Sequence, residues 1–375
     1  MFWNQVRHVF LKEVAQLRRN PDALRILFIA PFLQMLAFGY AATTDVKNIP
    51  FVLVDQDRSP ASRSLVERFT GSSYFRIAGI EDSPTAVDAW LVRGKADLAL
   101  VIPAGYGREL EAGRRPQVQV IADGSDSNSS MRGLVYASQI VAEESAARAA
   151  RLVPERAPRP GRVRVEPRVW YNADLRSRWY MVPAVMAMVL MIVLITLGSM
   201  SIVREREAGT MEQLIVTPLD ARALMIGKLA PYAGVGLIEV LVTTALAVGW
   251  FRVPLRGSFL ELVAMAFIFV LVVLALGLLV STIARTQQQA MMTSMFFITT
   301  PMIYLSGFLF PIENMPKPIQ AVTWLLPLRY FAEIVRGVFL KGATLRTLWP
   351  HALALAGFAV GLTLLAARRF RKTLD

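Results

Sequence analysis

Residues 179–203 read WYMVPAVMAMVLMIVLITLGSMSIV, and residues 204–218, which follow without a break, read REREAGTMEQLIVTP. The first run is apolar throughout and longer than the roughly 20 residues a helix needs to cross a bilayer core. Because lipid offers no hydrogen-bonding partners, such a run must satisfy its own backbone and is read as a membrane helix. The second run alternates charge, breaks at Gly209-Thr210, resumes as a helix-competent MEQLIV segment, and gives way to another apolar run at Leu229. A plain connector needs none of this. Glu205, Glu207 and Glu212 beside Met211, Leu214 and Ile215 describe a surface that docks against another protein, with carboxylates for its basic groups and an apolar face for its core.

The same criterion marks five more spans among the 375 residues, 54% of them hydrophobic. They are Ile26 to Ala42, Leu229 to Trp250, Leu262 to Ala284, Ala290 to Pro311 and Leu348 to Ala367. A seventh apolar stretch, Ala321 to Leu340, carries Pro327, Arg329, Glu333 and Arg336 and reads as a broken, re-entrant element rather than a crossing. The fold class is therefore an α-helical polytopic membrane protein: six transmembrane helices plus a re-entrant outer hairpin, with a mixed α/β external domain inserted between spans one and two. The expected layout is an interfacial helix (1–22), spans at 23–44, 179–203, 223–251, 259–284, 290–311 and 348–367, and the external domain at 45–178. The docking segment (204–222), an outer loop with the hairpin (312–347) and a tail (368–375) complete it.

Orientation follows from the basic residues flanking the spans. With the N-terminus inside, Arg7, Lys12, Arg18, Arg19, Arg25, Arg204, Arg206, Arg222, Lys228, Arg285, Arg368, Arg369, Arg371 and Lys372 lie in the cytosol. Only Arg252, Arg256, Lys317, Arg329, Arg336, Lys341 and Arg346 fall in short outer segments. Both termini are then cytosolic and the insert is outside. The polar, amphipathic first 22 residues do not read as a cleavable signal. Trp3, Val6, Phe10, Val14 and Leu17 recur at helical spacing opposite Arg7, Lys12, Gln16 and Arg19, the pattern of a helix in the membrane interface.

In the insert, Pro50 to Val54, Leu98 to Ile102 and Pro116 to Ala122 read as strands, and Ser62 to Phe69, Pro84 to Arg93 and Met131 to Arg151 as helices. Asp55, Asp57, Asp123 and Asp126 fall at strand ends, where they cap helices and shape turns; a cation site or paired acid and base is the sharper alternative. Arg151 to Arg168, with six Arg and four Pro, reads as a stiff or partly disordered return linker. The insert's charge is nearly balanced, so most of the chain's net +13 belongs to membrane flanks and gives no case for nucleic acid. With no cysteine, disulfides, thiolate chemistry and zinc sites of the Cys type are excluded, and only His8 and His351 leave little for a His-based metal site.

Five pieces together resemble a known family: Val54-Asp55-Gln56-Asp57-Arg58-Ser59, Arg168-Val169-Trp170-Tyr171-Asn172, Arg204 to Leu214, Tyr304 to Pro311, and Pro327-Leu328-Arg329-Tyr330-Phe331. In this order and spacing the chain resembles, over nearly its whole length, the permease subunits of ABC-2 type ABC transporters, in the multidrug-type branch with a large external domain after the first span. The resemblance implies a dimer with a second permease copy or a paralogue, seated on cytosolic ABC ATPase subunits and working as a bacterial inner-membrane exporter, with membrane lipid and a periplasmic adaptor as further partners. Arg204, Glu205, Arg206, Glu207, Gly209, Thr210, Met211, Glu212, Gln213 and Leu214 would then form the coupling segment. No cofactor is expected in this chain: it has no G-x-x-x-x-G-K-[ST] loop, and ATP and Mg would belong to the partner ATPase.

Glu239 lies near the middle of a span, where a lone carboxylate is expensive. It reads either as a contact in the translocation path or as a hydrogen-bonding residue between helices, with Thr243 as a partner. Tyr304, Ser306 and Phe308, at the end of a span, are further pathway candidates, and Pro327, Arg329 and Tyr330 belong to the expected outer gate. Gly357 and Gly361 permit close helix packing but assign no dimer seam. A ligand receptor using the external domain is the alternative reading; a membrane-embedded enzyme is disfavoured because only isolated acids are available to it.

Overall fold

Hydrophobic burial organises the chain around two separate cores, and the computed structural model divides into two units at these cores: residues 1–44 with 168–375, and residues 45–167. The structure describes residues 2–19, 21–41, 48–114, 116–124, 127–152, 171–172, 176–210 and 220–369.

The first unit opens with α1 (Phe2–Arg19) and α2 (Pro21–Ala41). The second contains β1 (Ile49–Asp55), α3 (Pro60–Gly71), β2 (Phe75–Glu81), α4 (Val87–Val92), β3 (Leu98–Ile102), α5 (Tyr106–Glu111), β4 (Gln119–Ala122) and α6 (Ser127–Leu152). The first unit resumes with α7 (Ser177–Met200), the single turn and a half of α8 (Val203–Glu207), α9 (Ala221–Ala245) and α10 (Phe259–Ile283). It continues through α11 (Gln287–Met292), a π-helical stretch (Thr293–Thr299) and α12 (Thr300–Leu305). Last come α13 (Lys317–Thr323), α14 (Pro327–Arg336) and α15 (Leu345–Arg369).

The smaller unit is a three-layer α/β fold with strand order β2-β1-β3-β4, the first three strands parallel and β4 antiparallel to β3. β1 is buried on both faces: Phe51 and Leu53 face the Leu65, Phe69 and Ala137 side, while Val52 and Val54 face Val87 and Trp90. Asp55 and Asp57 shape the turn after β1. Asp55 accepts the Asp57 and Arg58 amides and the Ser62 hydroxyl, and Asp57 reaches the β3–α5 turn, accepting from Gly105 N and Gly107 N at 2.9 Å each. Burial, the largest single influence on the Asp57 carboxyl, raises its pKa, but the Ser59, Gly107 and Gly105 hydrogen bonds and Arg108 together hold it below the usual carboxylate range.

In the larger unit α7 is the hub. Its residues 182–191 are all buried, among α2, α9, α10 and α14. α7 and α10 meet backbone to backbone: a Cβ on Gly198 would stand 3.1 Å from Leu274 O, and one on Gly277 would stand 2.8 Å from Ser199 N. The Gly357 and Gly361 pair on α15 meets nothing within 4 Å in this protomer.

Among the described residues, four helices are long and apolar enough to cross a membrane: the one beginning at Ser177, then Arg222–Trp250, Phe259–Ile283 and Leu345–Arg369. Against the six expected spans, the first is represented by the 21-residue α2, whose strongly apolar part is only Leu27–Ala41. The fifth runs from Gln287 to Leu305, starting earlier than expected and ending six residues short of Pro311, with a π-helical middle. Residues 317–336 form two helices of 7 and 10 residues with a tight turn, both too short to cross.

Candidate functional site

The charged run after α7 is held at its start by other parts of the same unit. Ser281, fully buried on α10, accepts from the amides of Ile202 (2.9 Å) and Val203 (3.2 Å), taking up N–H groups where α8 begins. Arg206 donates to Ala284 O at 3.0 Å, at the C-terminal end of α10. Glu207 is exposed and receives both the backbone amide (2.8 Å) and the side-chain amide of Gln287, the first residue of α11.

Glu205 is buried and sits in a cluster of charges contributed by three helices. Lys12 of α1 donates to Glu205 Oε1 at 2.6 Å, and Lys228 of α9 donates to the same oxygen at 3.1 Å, to Glu13 Oε1 at 2.8 Å and to Ser201 O at 3.2 Å. The Thr210 hydroxyl donates to Glu205 Oε2, and Tyr232 OH lies 3.4 Å from Glu13 Oε2. Two ammonium and two carboxylate groups thus balance, and the ammonium of Lys228, only 3% exposed, has three oxygen acceptors. A buried ion pair tolerates its desolvation only when its remaining hydrogen bonds are made, which is the arrangement here. The close fit continues along α1, where Val6 and Val9 press on Gly227 of α9; a Cβ there would lie 2.6 Å from Val9 Cβ.

This geometry corrects one expectation. Glu205 does not face outward for a partner; its carboxylate is taken up by Lys12, Lys228 and Thr210 of its own chain. Arg204, Arg206, Glu207 and Gly209 are exposed, Arg206 also donating to Ala284 O at the end of α10, while Thr210 is half-buried and turns back onto α8. Met211, Glu212, Gln213 and Leu214 lie outside the described residues. Lys12, Glu13, Lys228, Tyr232 and Ser281 were not singled out from sequence as members of a site. A signal existed, since Glu13 continues the Val6–Val9 face of α1 and Lys228 directly precedes an apolar span.

Further along α9, Glu239 is 3% exposed and neither of its carboxylate oxygens has a hydrogen-bond partner. Thr243 does not serve it: its hydroxyl donates to the Glu239 backbone carbonyl at 2.7 Å. Tyr304 is half exposed, whereas Ser306 and Phe308 are buried. Among the described residues no hydrogen bond joins these three to Glu239 or Thr243. Arg329 and Tyr330 close the α13–α14 turn, Arg329 by donating to the Thr323 hydroxyl and lying 4.3 Å over the Trp324 ring, Tyr330 by donating to Trp324 O at 2.9 Å; Pro327 opens α14. Among the described residues no group of three or more His, Cys, Asp or Glu is placed to hold a metal.

Apolar helices of spanning length, with a charged segment locked onto the end of one of them, define a multi-pass membrane protein. Residues 24–368 match the family model described as "ABC-2 family transporter protein", and the chain belongs to that family. It is 33% identical over 347 residues, 92% of each chain, to the "Probable multidrug ABC transporter permease YbhR" of Escherichia coli (strain K12). It is 32% identical to the "Probable multidrug ABC transporter permease YbhS" of the same organism, covering 98% of this chain and 97% of that one. The "Inner membrane transport permease YhhJ", also from strain K12, is 27% identical over 98% of both. Members of this family are membrane transport subunits rather than ATPases.

Proposed function

We propose that the chain is the membrane-spanning permease of an ATP-driven exporter, coupled to a separate cytosolic ATPase and paired with a second permease copy or a paralogue. The observation that carries this reading is the anchoring of α8. The segment that would meet the ATPase starts from a short helix tied to α1, α9, α10 and α11, so displacement of that segment is transmitted to several helices at once. In this reading α2, α7, α9, α10, the 287–305 helix and α15 make six crossings with both termini in the cytosol. The α/β unit and residues 312–347 face the outside, and α13 and α14 form a re-entrant outer gate.

Two E. coli relatives carry the name "Probable multidrug ABC transporter permease", which supports a drug-like cargo; a small amphipathic or lipid-like molecule is the cargo proposed for this chain. Within the path, Glu239 is the polar group best suited to meet cargo, because burial without a partner leaves a carboxylate poorly compensated and favours any ligand or water that reaches it. ATP and Mg belong to the partner. A periplasmic adaptor would meet the α/β unit.

The test is purification of the tagged full chain from its host membranes in mild detergent, followed by identification of co-purifying proteins and an ATP hydrolysis assay with and without Glu207→Arg. The expected result is an ATP-binding subunit whose retention or coupled hydrolysis is impaired by the substitution. Absence of any such subunit across several detergents and in lipid discs contradicts the proposal.

A further inference from the structure

The end of the larger unit remote from α8 contains a second buried charge, and it is satisfied very differently. Arg336, the last residue of α14, has a side chain only 6% exposed. Its guanidinium stacks 3.9 Å above the ring of Tyr180 in the first turn of α7. Nη1 and Nη2 both point at Gly307 O, at 3.4 Å each, and Glu333, half exposed, lies 3.6 Å away. These are long distances for hydrogen bonds to a charged donor, and Nε has no partner at all. Gly307 holds a left-handed φ of +80°, in the sharp turn that ends α12, and the hydroxyl of the preceding Ser306 is buried without a partner.

One side chain therefore ties three segments together: α14, the start of α7 and the turn after α12. Between segments the tie consists of a cation–π stack and two long hydrogen bonds, each easily exchanged for water, since the 3.6 Å Glu333 contact lies within α14 itself. Opening this corner would hydrate two polar groups that the closed form leaves unsatisfied, Arg336 Nε and Ser306 Oγ, which offsets part of the loss of the stack.

We propose that Arg336 is the latch of the outer gate: a positioning residue that holds α14 against Tyr180 and Gly307 when the gate is shut and releases both when it opens, exposing Ser306 to water. This inference rests on the reading above that residues 312–347 face the outside.

Because the natural chain has no cysteine, single-cysteine labelling is available without background. Ser306→Cys in the full chain, in sealed vesicles of known sidedness, is reacted with a membrane-impermeant maleimide, with Ala187→Cys, fully buried on α7, as the control for general loosening. Combining Ser306→Cys with Arg336→Gln is expected to speed labelling from the outer face at least about tenfold, the change produced by about 1.4 kcal/mol of lost tie, while Ala187→Cys stays unreactive. Unchanged Ser306→Cys labelling with a protected control overturns the latch. If the control also becomes reactive, Arg336→Lys decides. It keeps the charge but loses the planar stack and fork. Accelerated Ser306→Cys labelling with a silent control supports the latch, and the unmodified rate overturns it. Labelling that occurs only from the cytosolic face instead refutes the assigned sidedness and leaves the dependence on Arg336 to be read from that face.

Discussion

Two buried centres that hold cations in the membrane unit, around Lys228 and around Arg336, are built to opposite specifications. Around Lys228 each ammonium has a carboxylate and each carboxylate an ammonium, with Tyr232, Thr210 and Ser201 O taking up further capacity. Around Arg336 the contacts are a ring face, a distant carbonyl and the half-exposed Glu333 carboxylate at 3.6 Å on the same helix, and one N–H goes without. A saturated cluster resists rearrangement because breaking any member strands its partner in an apolar setting; an unsaturated one gives up little on opening. The difference suits a machine that receives force through a stiff platform at one end and opens at the other.

The strongest way to break this contrast is Lys228→Met. It takes from Glu13 its close cation and leaves Glu205 with Lys12 alone, and thermal unfolding of the full chain in detergent is expected to show a loss of about 3–5 kcal/mol. Adding Glu13→Gln should restore part of it. Equal losses for Lys228→Met and Arg336→Gln would remove the distinction between the ends.

Next in size is the glycine contact beside the platform. Gly277→Ala places a Cβ 2.8 Å from the Ser199 amide, so α7 and α10 must separate, at a cost of about 1–3 kcal/mol by analogy with overpacked cores. Gly357→Ala, where nothing lies within 4 Å, should be close to neutral in the isolated protomer by the same assay. A clear loss there would mean that α15 has a neighbour which the single chain lacks.

The smallest effect concerns the α/β unit. Because the folded pKa of Asp57 lies below its ordinary value of 3.8, its contribution to the β1–β3 corner is complete above that value and is lost as pH falls through the lower folded pKa. Amide exchange at Gly105 and Gly107 in the full chain, corrected for intrinsic rates, should accelerate only in that acid window. Asp57→Asn should accelerate it already at neutral pH.

These comparisons also show what a sequence can disclose. The spans of α7, α9, α10 and α15 were legible because an 18-residue stretch of high mean hydropathy with at most two charges has few alternatives, and β1 and β3 because short runs of Val, Leu and Ile bounded by turns read as buried strands. β2 was not seen. It is an edge strand with Ala78 and Gly79 at its middle and the charged Arg76 and Glu81 near its ends, which leaves little hydrophobic signal. The π-helical middle of 287–305 leaves no local mark, since its residues differ in hydrogen-bond register rather than in kind. The platform was half legible. Its charges stood out, but the partner of Glu205 lies 193 residues away, and no local pattern announces such a pairing. The glycines illustrate the same limit: the GxxxG spacing drew notice to α15, whereas the backbone contact uses Gly198 and Gly277 from separate helices, visible only when the helices are packed.

The measurement that bears most directly on the account is site-specific cross-linking from the segment beyond the platform. With Gln213→Cys in the otherwise cysteine-free chain, carrying a photoactivatable maleimide and irradiated in native membranes, the account predicts a cross-link to an ATP-binding subunit that diminishes with Glu207→Arg. Cross-links confined to lipid or to the chain itself would contradict the claim that this segment couples the permease to an ATPase.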